Sequence, residues 1–211
     1  GLSFDFPNDP NLDQFAIQYN VSSADALHQG VLTAWNDADG RYQLNLSEAA
    51  GWGTGSEARR KSWACAMGGA YVMILGMDVA TTPLSDLEDC GRLVRFFEST
   101  DFASMSPRDD LARGDTDYVL ADEGAAYIAY ADDGGGSLGL AGLVGGGWNV
   151  RWFDCSSGAE QELEVTAKTG EDTLVPRPAG FDGDVALYVW RAGPTSVDDS
   201  LSWGQIKAVF R

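Results

Sequence analysis

Five residues carry side chains suited to work on a sugar, and four of them fall at or just past the ends of predicted strands. Gln18 and Asn20 close the apolar run FAIQY, Glu48 follows YQLNL, and Asp78 follows AYVMILG. In β/α barrels the active site lies at the C-terminal ends of the strands, so residues so placed would share one mouth. A carboxylate there can act as nucleophile or as acid/base in glycoside hydrolysis, and retention of configuration needs a second carboxyl group about 5–5.5 Å away. The fifth residue, Trp52, sits in the glycine loop AAGWGTG directly after Glu48, where an indole can stack on a sugar ring or pin the loop. The competing reading of Glu48 is a carboxylate near a helix, held by Arg59 or Arg60. Gln18, Asn20 and Asp78 are expected as hydrogen-bonding partners of a sugar.

The elements that must position these residues follow from periodicity. FAIQY is preceded by the turn-prone NDPNLD and reads as a strand. Leu27, Val31 and Ala34 then recur at helical spacing, with Ser22 and Asp25 marking the helix start and WNDADG breaking it. His28, in the middle of this helix, reads as a packing or surface residue. YQLNL is the next strand. After the glycine loop, Ser56 is the expected N-cap of a second helix, with Glu57 in its first turn. Trp63, Ala66, Met67 and Ala70 share one face of it. AYVMILG is apolar enough for a strand buried on both faces. Pro83 opens a third helix, along which Leu87, Cys90, Val94 and Phe97 recur, ending near Glu98. Strands alternating with helices in this way predict a parallel α/β arrangement.

The segment FASMSPRDDLARGDTD then changes character, and its proline, glycine and charges mark it as a boundary or linker. Beyond it the helical period is lost. YVLAD, AAYIAYA, SLGLAGL, WNVRWFD, QELEVTA, TLVP and DVALYVWR are short runs separated by turn residues, the pattern of an antiparallel sandwich or barrel. The glycine-rich DDGGGSLGLAGLVGGG lacks the spacing of a phosphate loop and is expected to form turns. Trp148, Trp152 and Trp190 are either core aromatics or a carbohydrate platform. The last twenty residues, AGPTSVDDSLSWGQIKAVFR, read as a tail, an added strand or a sorting element.

The order of these motifs resembles one enzyme family. A strand ending in Glu48, the arginine-led helix ARRKSWACAMGGA, a short strand ending in glycine, and a leucine-rich helix running into FFESTDFASMSP look like the last third of the apiosidase-like glycoside hydrolases, which have TIM barrels. YIAYADDGGGSLGLAGLVGGGWNVRWFDCSSG, with Trp152, Asp154 and Gly158, resembles the small β-sandwich after that barrel, a domain sometimes labelled collagen-binding. The resemblance covers about residues 12–191. It implies that Glu48 matches the glutamate after the seventh barrel strand, the nucleophile, and that the acid/base residue comes from an earlier strand.

About forty residues precede Arg41, too few for a whole barrel of ~250 residues. The expected fold is therefore a partial (β/α) barrel over 1–105, a small antiparallel β-sandwich over 106–191 and a tail over 192–211. The expected function is that of the C-terminal fragment of a retaining glycoside hydrolase, inactive alone because the acid/base strand is missing. The alternative is a non-catalytic module that binds carbohydrate or protein. A truncated barrel leaves strand edges and apolar helix faces without partners, so a homo-oligomer or a missing N-terminal barrel portion is expected to cover them.

Composition narrows the partners. Asp and Glu outnumber Lys and Arg by 32 to 14, a formal charge of −18 that repels nucleic acid and anionic membrane surfaces. Such acidity suits an extracellular or periplasmic setting, and equally a protein whose loops are merely well solvated. No apolar run reaches the ~18 residues of a membrane span. Cys65, Cys90 and Cys155 show no paired spacing, and the chain has a single histidine, so neither a metal nor a cofactor is expected. The cysteines read as small buried hydrophobes, with one disulfide as the other possibility.

Overall fold

The computed structural model describes residues 9–48, 53–72, 80–133 and 135–191, Glu48 by its backbone alone. Its first part is a parallel sheet of β1 (Gln14–Gln18), β2 (Gln43–Glu48) and β3 (Ala70–Val72), paired in sequence order. Helices α1 (Ala24–Ala38) and α2 (Ser56–Met67) supply the crossovers, and α3 (Leu84–Glu98) follows. Parallel neighbours need such crossovers, which is why helix and strand alternate in the sequence. Leu27, Val31 and Ala34 of α1 pack on Ile17, Leu44 and Leu46 of the sheet and on Cys65 of α2.

Local chemistry moves several boundaries from where the sequence pattern puts them. Ser23, not Ser22, caps α1, its Oγ accepting from the Ala26 N–H at 3.2 Å. The helix runs on through Trp35 to Ala38 and stops only where Asp39 (φ 50°) and Gly40 (φ 69°) turn left-handed. Gly55 holds the N-cap position of α2, so Ser56 is its first helical residue. Tyr71 on β3 is 41% exposed, against the expectation of a strand buried on both faces, because β3 has β2 as its one neighbour among the described residues. The rest of AYVMILG lies outside them.

All seven predicted β runs form strands, and the segment read as a linker folds as well. Residues 102–117 contain two short 3-10 turns, β4 (Ser106–Pro107) and β5 (Ala112–Gly114). Next come β6 (Tyr118–Asp122), β7 (Ala126–Ala131), β8 (Ser137–Leu140) and β9 (Gly146–Asp154). β10 (Glu160–Ala167), β11 (Thr173–Pro176) and β12 (Val185–Trp190) complete the set. They form a six-stranded antiparallel sheet, β10-β9-β12-β7-β6-β4, and a three-stranded one, β11-β8-β5. At Gly139 of β8 a Cβ would stand 2.9 Å from the Arg113 carbonyl oxygen, so part of the glycine content serves close strand approach.

The six-stranded sheet is covered on both faces. Trp148, Val150, Trp152, Leu187 and Val189 face the smaller sheet, packing with Leu138, Leu140 and Val175. Ile128, Tyr130, Phe153 and Tyr188 face the helices, packing with Trp63, Met67, Phe96 and Phe97. Trp63 stacks on Tyr130 with centroids 5.3 Å apart. Trp148 and Trp152 are therefore core and cannot form a platform; they are 1% and 0% exposed. Asp154 and Gly158, prominent in the family resemblance, make the β9–β10 turn. Asp154 Oδ1 accepts from the Ser156 and Ser157 N–H groups, each at 2.9 Å, and Gly158 adopts φ +76°. Burial alone would raise the Asp154 pKa, but these hydrogen bonds outweigh it and hold the carboxyl below its ordinary value.

Candidate active site

The strand pairing brings two of the candidate residues together. Gln18 ends β1 and is the register partner of Glu48, the last residue of β2. A bulge between Ile17 and Gln18 sets this pairing, since the register slips by one residue there. Asn20 lies two residues beyond, at the same end of the sheet; Gln18 and Asn20 are both exposed. Trp52 and Asp78 lie outside the described residues. The backbone register thus sets Gln18 and Glu48 at adjacent C-terminal strand ends.

The first turn of α1 leaves from this end of β1, and it carries an acidic neighbourhood with it. Tyr118 donates to Asp25 Oδ1 at 2.5 Å, and burial together with that carboxylate pushes the Tyr118 hydroxyl pKa well up. Asp117 accepts from the Asp132 N–H at 2.8 Å. Asp117 and Asp132 both have raised pKa values, first from burial and then from mutual repulsion with Asp133 and Asp25. Arg60 partly offsets this at Asp132.

Arg59, one of the two residues considered as a holder for Glu48, is committed elsewhere. Its Nε and Nη2 donate to Asp184, the shortest contact being 2.6 Å, and its Nη1 donates to Asp89 at 3.1 Å. Arg92 donates to the other oxygen of Asp89 at 2.5 Å. Burial opposes the charge on Arg59, but the two carboxylates overcome it and raise its pKa. Asp184 is fully buried, so this cluster joins α2, α3 and the loop before β12. Sequence reasoning missed it because Arg59 and Asp184 are 125 residues apart and no local pattern links them.

His28 is buried, as a packing residue should be. It stacks on Tyr118 at 3.8 Å, with Nδ1 2.8 Å from the Ala64 carbonyl oxygen and Nε2 2.7 Å from Asp109 Oδ2. The ring thus bridges α1, α2 and the turn before β5. Cys65, Cys90 and Cys155 are all free thiols, which removes the disulfide alternative. Burial pushes the Cys90 thiol up to about 11, helped by Asp89 and Asp86. Among the described residues no group of three or more His, Cys, Asp or Glu is placed to hold a metal, and no helix is long and apolar enough to cross a membrane.

No protein-family model matches the sequence, and no curated protein matches it. Solved structures do. A glycoside hydrolase family 5 protein from Bacteroides vulgatus ATCC 8482 superposes with a TM-score of 0.63 at 13% identity, over 92% of this chain and 54% of that one. A second structure, described as a glycoside hydrolase, gives a TM-score of 0.62 at 14% identity, over 89% of this chain and 54% of its own. The chain spans about half the length of both. Its fold is one found in glycoside hydrolases.

Proposed function

We propose that this chain is the C-terminal part of a retaining glycoside hydrolase, with Glu48 as the nucleophile. The observation that carries the reading is the pairing of Gln18 with Glu48 at the C-terminal ends of adjacent parallel strands. In this reading β1, β2 and β3 are consecutive staves of a barrel, residues 1–105 belong to it, residues 106–191 form the sandwich docked against it, and 192–211 are a tail. The neighbours' descriptions as glycoside hydrolases, and the half of their length that this chain leaves uncovered, support it. The apiosidase-like family is the finer assignment, resting on the motif order.

The chemistry follows the two-carboxylate scheme. Glu48 attacks the anomeric carbon, the glycosidic bond breaks, and an acid from an earlier strand protonates the departing oxygen; water then releases the sugar. Gln18, Asn20, Trp52 and Asp78 hold the ring. The substrate is a carbohydrate, and a polymeric one would place the protein outside the cytoplasm, extracellular or periplasmic. Alone, this chain is expected to release no sugar from aryl glycosides. In the longer protein carrying the upstream strands, Glu48→Gln is expected to lower kcat by on the order of 10³-fold or more. Glu48-dependent release by this chain alone would overturn the fragment reading, and unchanged activity of the longer variant would overturn the nucleophile.

A further inference from the structure

Trp190 ends β12 on the face of the six-stranded sheet that turns toward the helices. Its ring stacks on that of Tyr188, centroids 4.7 Å apart and 11° from parallel. Tyr188 is itself buried and donates to Asp101 Oδ2 at 3.1 Å, so the indole rests on a fixed support with one face engaged. Strand register supplies its neighbours. Trp190 pairs with Asn149 on β9, Asn149 pairs with Glu164 on β10, and Glu162 lies two residues along the same face. With Val150 and Leu163, these four residues line a cleft of about 220 Å³.

The polar groups of this cleft are uncommitted. Neither the Asn149 amide, the Glu162 and Glu164 carboxylates nor the Trp190 indole N–H has a hydrogen-bond or ion-pair partner among the described residues. Carboxylates on the edge strand β10 can be explained as a guard against edge-to-edge pairing. That account covers Glu162 and Glu164 and leaves the supported indole and the amide beside it unexplained. An aromatic face with a few convergent polar groups is the composition of a small-ligand site. The volume falls below the ~300–1,000 Å³ of drug-sized pockets, which limits the occupant to about one ring.

We infer that this cleft binds one neutral sugar ring of a glycan, at a place separate from the strand end that carries Glu48. The C–H face of the sugar lies on the indole, its hydroxyls donate to Glu162 and Glu164, and Asn149 both donates and accepts. The protein's charge of −18, with two carboxylates in the cleft itself, disfavours uronic or sulfated sugars. The choice of a sugar as ligand rests on the function proposed above; the site itself does not use Glu48.

The test is calorimetric titration of this chain with neutral hexaoses of glucose, xylose, mannose and galactose, a uronic-acid oligomer, and spermine as a cationic control. Binding of a neutral hexaose is expected, weakened about tenfold or more by Asn149→Ala and by Trp190→Ala and unchanged by Glu48→Gln. Glu164→Gln, on an exposed position, guards against a folding defect in the tryptophan variant and is also expected to weaken binding. No binding of any neutral sugar, or binding of spermine alone, would overturn the site. Binding lost with Glu48→Gln but kept in the cleft variants would overturn it too, while leaving the glycosidase reading standing.

Discussion

Asp132 sits just past the end of β7 among other carboxylates, and its local chemistry gives a pH signature. Its folded pKa is raised above the ordinary carboxyl value by burial first and by Asp133, Asp25 and Asp184 next, against the pull of Arg60. Between the unfolded and folded pKa values the folded chain binds more protons than the unfolded one, so stability falls as pH rises through that window. Above it the cost is fully present. Asp132→Asn is therefore expected to raise Tm at pH 7 by roughly 1–3 °C. That is less than the ~2–4 °C given by 1 kcal/mol in a chain of this size, because solvent screens a partly exposed site. The gain should vanish near pH 4. Melting curves of both proteins at the two pH values check this, and an equal gain at both would count against the electrostatic origin.

At the scale of elements, α3 shows best how a pattern and a packed face can differ. The stripe Leu87, Cys90, Val94 and Phe97 marks a helix correctly, yet Val94 is 48% exposed and the buried positions are Asp86, Asp89, Phe96 and Phe97. On the inward face Asp89 pairs with Arg59 of α2 and Asp86 accepts from the Gly55 N–H at 3.0 Å, while Phe96 and Phe97 pack with Trp63. Periodicity reports an amphipathic face, whereas ion pairing and apolar packing with the neighbouring elements together decide which residues are covered. Asp184→Asn would leave the partly buried Arg59 short of its main counter-charge and is expected to cost about 3–5 kcal/mol. Replacing both, as Arg59→Met with Asp184→Leu, should recover most of that loss, since well-packed apolar pairs often match buried ion pairs. Denaturant unfolding of the single and double variants measures both, and a double variant no better than the single would sink the explanation.

For the molecule as a whole, the open parallel sheet sets the expectation. β1 and β3 are its outer strands among the described residues, and Tyr71 on β3 and Leu84 and Val94 on α3 are exposed apolar side chains, at 41%, 71% and 48%. We expect this chain to self-associate as concentration rises, with Leu84→Glu and Val94→Glu together shifting it toward monomer. Light scattering after size exclusion decides it, and a strict monomer at every concentration would rule it out.

The sequence by itself determined the three helices, the strands outside residues 102–117, their order, the change from a helical to a two-residue period, and the place of Glu48 at a strand end. Those properties are local, written in turn residues and apolar spacing over a few neighbours. It reached Gln18 beside Glu48 through the barrel logic, but the bulge that makes them register partners belongs to the pairing of two strands. Only the tertiary structure decided that Trp148 and Trp152 are core while Trp190 lines a cleft, that His28 is buried between Ala64 and Asp109, and that Arg59 serves Asp184. Each depends on contacts between residues far apart in the chain, where burial and charge pairing are settled by which surfaces meet.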